Sequence, residues 1–335
     1  MEHGKCPETE EPNLDSSYAF SPGQDIENLT SHIQYLKQKL KDNLTGFDCE
    51  FKFIESQSTK LNKPKDFTAA FHLENFPKNR YKNVLPPDKT RVKLQNETNC
   101  SDYINASHIV IEYENIYRQK YISTQGPVPS TVPDFWRMVW QNDVRVIVML
   151  TKEVESGSIK CAKYWPDSNS ITYQDIKVVH CYTRDANPDI LTRIFRIEHL
   201  EPGTGPRTLI HYQYTEWPDH GLPSSTKLFL ELVHRVNRHS GKEPILVHCS
   251  AGIGRSGTFC TVHSVVNMMR RYVVAFNSLP KLNIVKTVLC LRSQRPGMVQ
   301  NKDQYMFCYF SIHEEYLRCK EILSSLSTPP RKQKS

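Results

Sequence analysis

Residues 245–259 read ILVHCSAGIGRSGTF, and the order strand, small-residue loop, helix is legible in them. Ile245, Leu246 and Val247 make a short apolar run of the buried-strand type. Small residues follow, and then a helix-like segment from Arg255 through Arg271. Five residues separate Cys249 from Arg255. A loop of this kind turns backbone N–H groups inward, and the first helical turn adds unpaired donors and the positive end of the dipole. The product is an oxyanion cradle built from Ser250, Ala251, Gly252, Ile253, Gly254 and Arg255. Gly252 and Gly254 permit close backbone approach, and the planar fork of Arg255 can hold two phosphate oxygens at once. A free thiol titrates near ~8.5, but at a helix N-terminus beside cations the value falls by several units. The thiolate is the nucleophile. At the floor of a phosphate-shaped cup it points to attack on phosphorus and a cysteinyl-phosphate. A buried core cysteine after a strand is the bland alternative.

The same residues raise a rival. Gly252 to Gly257 matches the G-x-G-x-x-G dinucleotide fingerprint, after a strand and opening a helix. That reading needs a βαβ unit and an acidic residue roughly 20 positions on. Around Asn277 there is no Asp or Glu, and the following segments read as helix. The ATP-binding Walker pattern fails too, because no Lys-Ser or Lys-Thr follows the glycines.

At 335 residues the chain suits one large domain or two small ones, and its 38% hydrophobic and 10% aromatic content suffices for a core. No apolar run approaches the ~18 residues of a spanning helix, and the N-terminus has no signal-peptide pattern. Neither a myristoylation start nor a prenylation box is present. A soluble, cytoplasmic protein is expected, with a fragment of a membrane receptor as the alternative. The ten cysteines are scattered, without a CxxC pair or zinc spacing. Reduced thiols are therefore expected, and neither a metal nor another cofactor. The net charge of +7 is uneven, because residues 1–30 hold seven acids and one lysine and leave +13 on the rest. A basic body suits anionic substrates. Nucleic acid would fit that charge, but no nucleic-acid module is legible.

Residues 1–20 are acidic, punctuated by proline, and read as disordered. An amphipathic helix is expected over 21–46. Ser21 to Gln24 has capping-box form with Pro22 at the first helical position. Ile26, Leu29, Ile33, Leu36 and Leu40 form a stripe for the catalytic body, and Thr45-Gly46 makes the stop. Residues 56–66 read as loop. From Tyr103 onward β-type runs alternate with turns, at 145–150, 192–197 and 208–215 among others. Long helical patterns dominate after Pro223, with Leu228, Phe229, Leu232, Val233 and Val236 on one face. A final helix is capped by Asn301 with Gln304 three positions on. The expected class is α+β, a twisted mixed sheet flanked by helices on both sides. The catalytic domain would span 47–326. Residues 327–335 form a basic tail, either solvated or in weak contact with a partner or an anionic membrane.

The stretch 248–257 resembles the signature of the classical protein tyrosine phosphatases. Trp217-Pro218-Asp219-His220-Gly221 resembles their mobile acid loop, and Lys78-Asn79-Arg80-Tyr81 their phosphotyrosine-recognition loop. Asp102 to Ala106, Tyr121 to Pro127, Asp134-Phe135-Trp136 and Gln300 to Gln304 follow the family's order. The resemblance implies phosphotyrosine-containing proteins as substrates and assigns roles by position. Cys249 is the nucleophile and Arg255 the phosphate clamp. Asp219 is the general acid on a lid anchored by Trp217, and Gln300 orients the hydrolytic water with support from Gln304. Glu155 would grip Arg255, and Lys160 would meet Asp219 on closure. Tyr81 would wall the slot, and Asn83 would bond the peptide backbone without the charge of an aspartate. Ser256 would donate to the thiolate, and His248 would support the thiolate from behind; a first-turn serine and a core histidine are the plain alternatives. Arg292 and Gly297 sit near a second phosphotyrosine pocket of some members, with no matching arginine upstream of Phe67.

Two other functions compete. A dual-specificity or phosphoinositide phosphatase would share the loop but lack the Lys78–Tyr81 wall, and the phosphoinositide enzymes tend to carry lysines in the loop. An inactive phosphotyrosine-binding module would have lost Cys249, Arg255 or Asp219, and all three are present.

Overall fold

The computed structural model describes residues 23–38, 44–95, 101–184, 187–201, 203–218 and 221–327. Its strands are β1 (Arg91–Lys93), β2 (Tyr103–Tyr113), β3 (Tyr117–Thr124), β4 (Val146–Met149), β5 (Val154–Glu155), β6 (Ser158–Ile159), β7 (Ser170–Tyr173), β8 (Ile176–Arg184), β9 (Ile190–His199), β10 (Arg207–Tyr214) and β11 (Ile245–His248). The helices are α1 (Leu29–Leu36), α2 (Gly46–Ser58), α3 (Thr68–Phe71), α4 (Val132–Gln141), α5 (Thr226–His239), α6 (Gly254–Phe276), α7 (Ile284–Gln294) and α8 (Lys302–Ser327).

Nine strands form one sheet in the order β1-β2-β3-β11-β4-β10-β9-β8-β7. The middle, β3-β11-β4-β10, is parallel and the flanks are antiparallel. A strand with parallel neighbours on both sides is covered on both faces, which is why 245–248 needs an unbroken apolar run. Alternate side chains then serve opposite cores. Ile245 and Val247 join the larger cluster with α1, α2 and α5–α8, while Leu246 packs with Phe135 and Trp136 of α4 on the other face. This is the α+β sheet with helices on both sides.

Two expectations are corrected near the N-terminus. In place of one helix over 21–46, α1 covers Leu29–Leu36 and a separate helix, α2, begins at Gly46. α1 starts at Leu29, where the Asn28 side chain accepts the N–H groups of Thr30 and Ser31. Ile26 instead exchanges backbone bonds with Leu282. Thr45-Gly46 is a start and not a stop: Thr45 caps α2 in a capping box with Asp48, and α2 runs into the expected loop as far as Ser58. Leu29, Ile33 and Leu36 are buried in the larger core. Ser21, Pro22 and Leu40 lie outside the described residues, as do residues 1–20 and the tail from 328.

Candidate active site

The loop after β11 is shaped by groups behind it. Gly252 has φ +71, and a Cβ there would lie 2.1 Å from the Thr124 carbonyl oxygen, so only glycine fits. The carbonyl of Ser250 accepts from the Gly126 N–H at 2.9 Å. The carbonyls of Ala251 and Gly252 accept from Arg295 at 3.0 and 2.8 Å, and Ser123 also donates to Gly252. In a trans peptide the N–H points opposite to the preceding carbonyl, so these bonds aim successive N–H groups into the cup. The N-cap Ile253 has no capping side chain, which leaves the first-turn donors of α6 open. Arg295 is fully buried, and burial lowers it to about 10, which keeps it cationic near neutrality. No periodicity or spacing marks Arg295 in the sequence. Only its bonds to Asn105, Ala251 and Gly252 reveal the role.

Cys249 is 5% exposed at the floor of this loop. Its Sγ accepts from the Gly252 N–H and the Ser256 hydroxyl, both at 3.3 Å. Ser256 therefore meets the sulfur itself. His248 does not: its Nδ1 lies 3.3 Å from the Cys249 carbonyl oxygen and its Nε2 2.7 Å from the Tyr164 hydroxyl. The histidine holds the Cys249 backbone and leaves the sulfur to the loop. Burial lowers His248 to about 4, so the ring is neutral at neutral pH.

Arg255 is held by Glu155 in a two-point fork, Nη1 to Oε1 at 2.6 Å and Nη2 to Oε2 at 2.8 Å. Nη1 also donates to the Leu150 carbonyl at 3.0 Å and Nη2 to that of Pro218 at 3.2 Å. Glu155 ends β5, and its Oε1 also accepts from Thr151 and the Lys152 N–H. Burial would raise the Glu155 carboxyl, but the hydrogen bonds from Arg255 and Thr151 and the guanidinium charge hold it below the ordinary range. Arg255 is thus oriented by an ionised Glu155.

Lys78 to Tyr81 lie beside the loop, where the slot wall is expected. Lys78 pairs with Asp134 at 2.9 Å, and Asn79 accepts from Tyr103 and Asn105. Arg80 donates to the carbonyls of Gly126, Pro127 and Ile159. The Tyr81 hydroxyl reaches Ser250 Oγ at 2.9 Å, and Ser250 in turn donates to the Lys160 carbonyl. Asn83 is exposed and lines, with Ile253, Arg292, Gly297 and Gln300, a concavity of about 520 Å³ beside the loop. Arg292 is already bonded to the carbonyls of Met298 and Val299 and to Ser58.

Gln300 and Gln304 lie against the loop at Gly254. A Cβ there would sit 3.0 Å from Gln300 Oε1 and 2.9 Å from Gln304 Nε2. Gln304 Oε1 accepts the Gln300 N–H at 2.9 Å, and Asn301 caps α8 through the Gln304 N–H. Asp219 and His220 lie outside the described residues, so the expected Lys160–Asp219 meeting does too. The flanks are anchored: Trp217 donates to the Gly221 carbonyl at 3.2 Å and packs on Phe229 and Phe307, and Pro218 accepts from Arg255.

Among the described residues no helix is long and apolar enough to cross a membrane. The family model for protein-tyrosine phosphatases matches residues 75–314. Tyrosine-protein phosphatase 2 of Dictyostelium discoideum is 38% identical, across 81% of this chain and 85% of its own length. Tyrosine-protein phosphatase non-receptor type 20 of Rattus norvegicus is 41% identical, across 78% of this chain and 59% of its own length. Receptor-type tyrosine-protein phosphatase S of Gallus gallus is 40% identical across 84% of this chain, which spans only 18% of that receptor. With its cysteine and arginine folded into one anion cradle, the chain belongs to the protein-tyrosine phosphatase family, hydrolases that work through a cysteinyl-phosphate.

Proposed function

We propose that this chain hydrolyses phosphotyrosine in proteins, with each step carried by a named residue. The phosphate enters the cup and its oxygens take the loop N–H groups and Arg255, whose Nη2 donates to the Pro218 carbonyl at 3.2 Å. The Cys249 thiolate attacks phosphorus, and the bond to the tyrosine oxygen breaks as Asp219 protonates the leaving phenolate. Asp219 then takes a proton from water held by Gln300, the water attacks phosphorus, and the sulfur–phosphorus bond breaks. Ser256, 3.3 Å from the sulfur, stabilises the departing thiolate. Loop N–H groups and Arg255 stabilise the charge on phosphoryl oxygens in both transition states.

The observation that carries the reading is the Tyr81–Ser250 contact at 2.9 Å, which seats an aromatic wall on the rim of the Cys249 loop. A phosphotyrosine ring can stack there and reach the sulfur, whereas a phosphoserine is too short. Cytoplasmic action is part of the proposal, because a catalytic thiolate needs a reducing compartment. Weak contact of the basic tail with a partner or an anionic membrane belongs to the same proposal, and co-sedimentation with anionic vesicles tests the membrane contact. The deciding test is the rate of phosphate release from phosphotyrosine, phosphoserine and phosphoinositide substrates side by side. Phosphotyrosine should lead by orders of magnitude; comparable rates on phosphoserine or phosphoinositide would replace this reading with one of those two.

A further inference from the structure

α2 grips the chain on both sides of Gln300. On the far side, Lys302 opens α8, where the helix dipole opposes a cation, and its Nζ meets Asp48 Oδ1 of α2 at 2.8 Å. The other Asp48 oxygen accepts the N–H and hydroxyl of Thr45 at 2.8 and 2.7 Å. Burial would raise Asp48, but Lys302 and Thr45 hold it at about 2, so one charged carboxylate serves two helix starts.

On the near side, Ser58 closes α2 and accepts from Arg292 at 3.1 Å. Arg292 donates to the carbonyls of Met298 at 2.9 Å and Val299 at 2.7 Å. Val299, directly before Gln300, has φ +58, a left-handed conformation that a β-branched residue holds only when its surroundings impose it. The Val299 N–H completes the restraint by donating to the Ile253 carbonyl of the catalytic loop at 3.1 Å. Behind these contacts, Tyr305 and Tyr309 of α8 donate to the buried Glu50 of α2 at 2.7 and 2.9 Å. The Gln300 carboxamide thus hangs between two points that α2 sets.

We propose that α2 is a positioning clamp for Gln300. The Asp48–Lys302 pair and the Ser58–Arg292–Val299 relay place the carboxamide that orients the hydrolytic water, so residues 46–58 govern the second chemical step and not the first. This rests on the reading of Gln300 given above. Asp48, Ser58, Arg292 and Lys302 are positioning residues that act through the backbone at 299–302.

The test is pre-steady-state phosphate release by the full chain from an aryl phosphate, comparing wild type, Lys302→Met, Ser58→Ala, the double variant and Gln300→Ala. The Lys302–Asp48 pair is partly exposed, so the variants should fold, as a thermal melt would verify. In the double variant the burst rate should stay within about twofold of wild type while hydrolysis of the phosphoenzyme falls about tenfold. Added methanol should raise the share of methyl phosphate, because a misplaced carboxamide no longer favours water. Lys302→Arg should retain wild-type partitioning. Equal losses in both steps, or no change in the ratio of steps, would overturn the clamp. Selective loss in Gln300→Ala but not in the double variant overturns the clamp alone. Absence of selective loss in Gln300→Ala shows instead that the reading of Gln300 is at fault, and the clamp falls with it.

Discussion

Arg255 is oriented before any phosphate arrives, because Glu155 meets it at two points within 2.8 Å and Thr151 in turn orients Glu155. Glu155→Gln keeps the shape but removes the charge and one acceptor, so the fork loses half of its grip. We expect kcat/KM to fall roughly 10- to 100-fold with little change in melting temperature; an unaltered kcat/KM would show that Arg255 needs no such partner. Cys249→Ser should abolish turnover while phosphopeptide binding persists, since the loop donors and Arg255 remain. Residual activity within tenfold of wild type would refute the thiolate mechanism. Asp219→Asn should cost most on phosphotyrosine, whose phenolate has a pKa near ~10, and least on an activated aryl ester that leaves unaided. Equal losses on both substrates would place the acid elsewhere.

At the scale of elements, the caps decided where helices begin. The Thr45–Asp48 box stands in the sequence, but the apolar stripe before it runs in helical register up to that point and gives it the look of a stop. A stripe cannot say where the backbone leaves the helix; a side-chain oxygen on an N–H group does. Thr45→Ala should cost about 1 kcal/mol in urea unfolding, and Thr45→Ser should cost much less. Equal values for the two would deny Thr45 its capping role. Three strands were legible at 145–150, 192–197 and 208–215 because β4, β9 and β10 carry β-branched runs between clear turns.

At the scale of the molecule, His211, His248 and His263 have no exposed surface. Burial lowers His248 to about 4 and His263 to about 3, and burial with the nearby Arg193 lowers His211 well below its ordinary value. The unfolded chain takes up protons at these residues near pH ~6.5, and the folded chain refuses them. Their contribution to stability is therefore complete above about pH 6.5 and is lost as pH falls from there through about 4. Each fully neutral histidine contributes roughly 1.4 kcal/mol per pH unit across that window. The urea midpoint should drop steadily between pH 6.5 and 5; a flat profile would mean that these rings are protonated inside the fold.

The phosphate loop, the buried strand before it and the helix after it were determined by local sequence alone. An apolar run, two glycines and a Cys-to-Arg spacing act within one stretch of chain. The slot wall and the roles proposed for Glu155 and Gln300 are implied by family likeness, not by spacing. Only the tertiary structure decided what holds the loop open. Arg295 reaches Ala251 and Gly252 from just past the end of α7, Glu155 of β5 reaches Arg255 of α6, and Asp48 reaches Lys302 from the opposite end of the chain. Such pairs leave no periodic mark, since a hydrogen bond between distant residues depends on where the sheet and its helices bring their ends together. Folding makes them neighbours, and burial then makes each contact costly to lose.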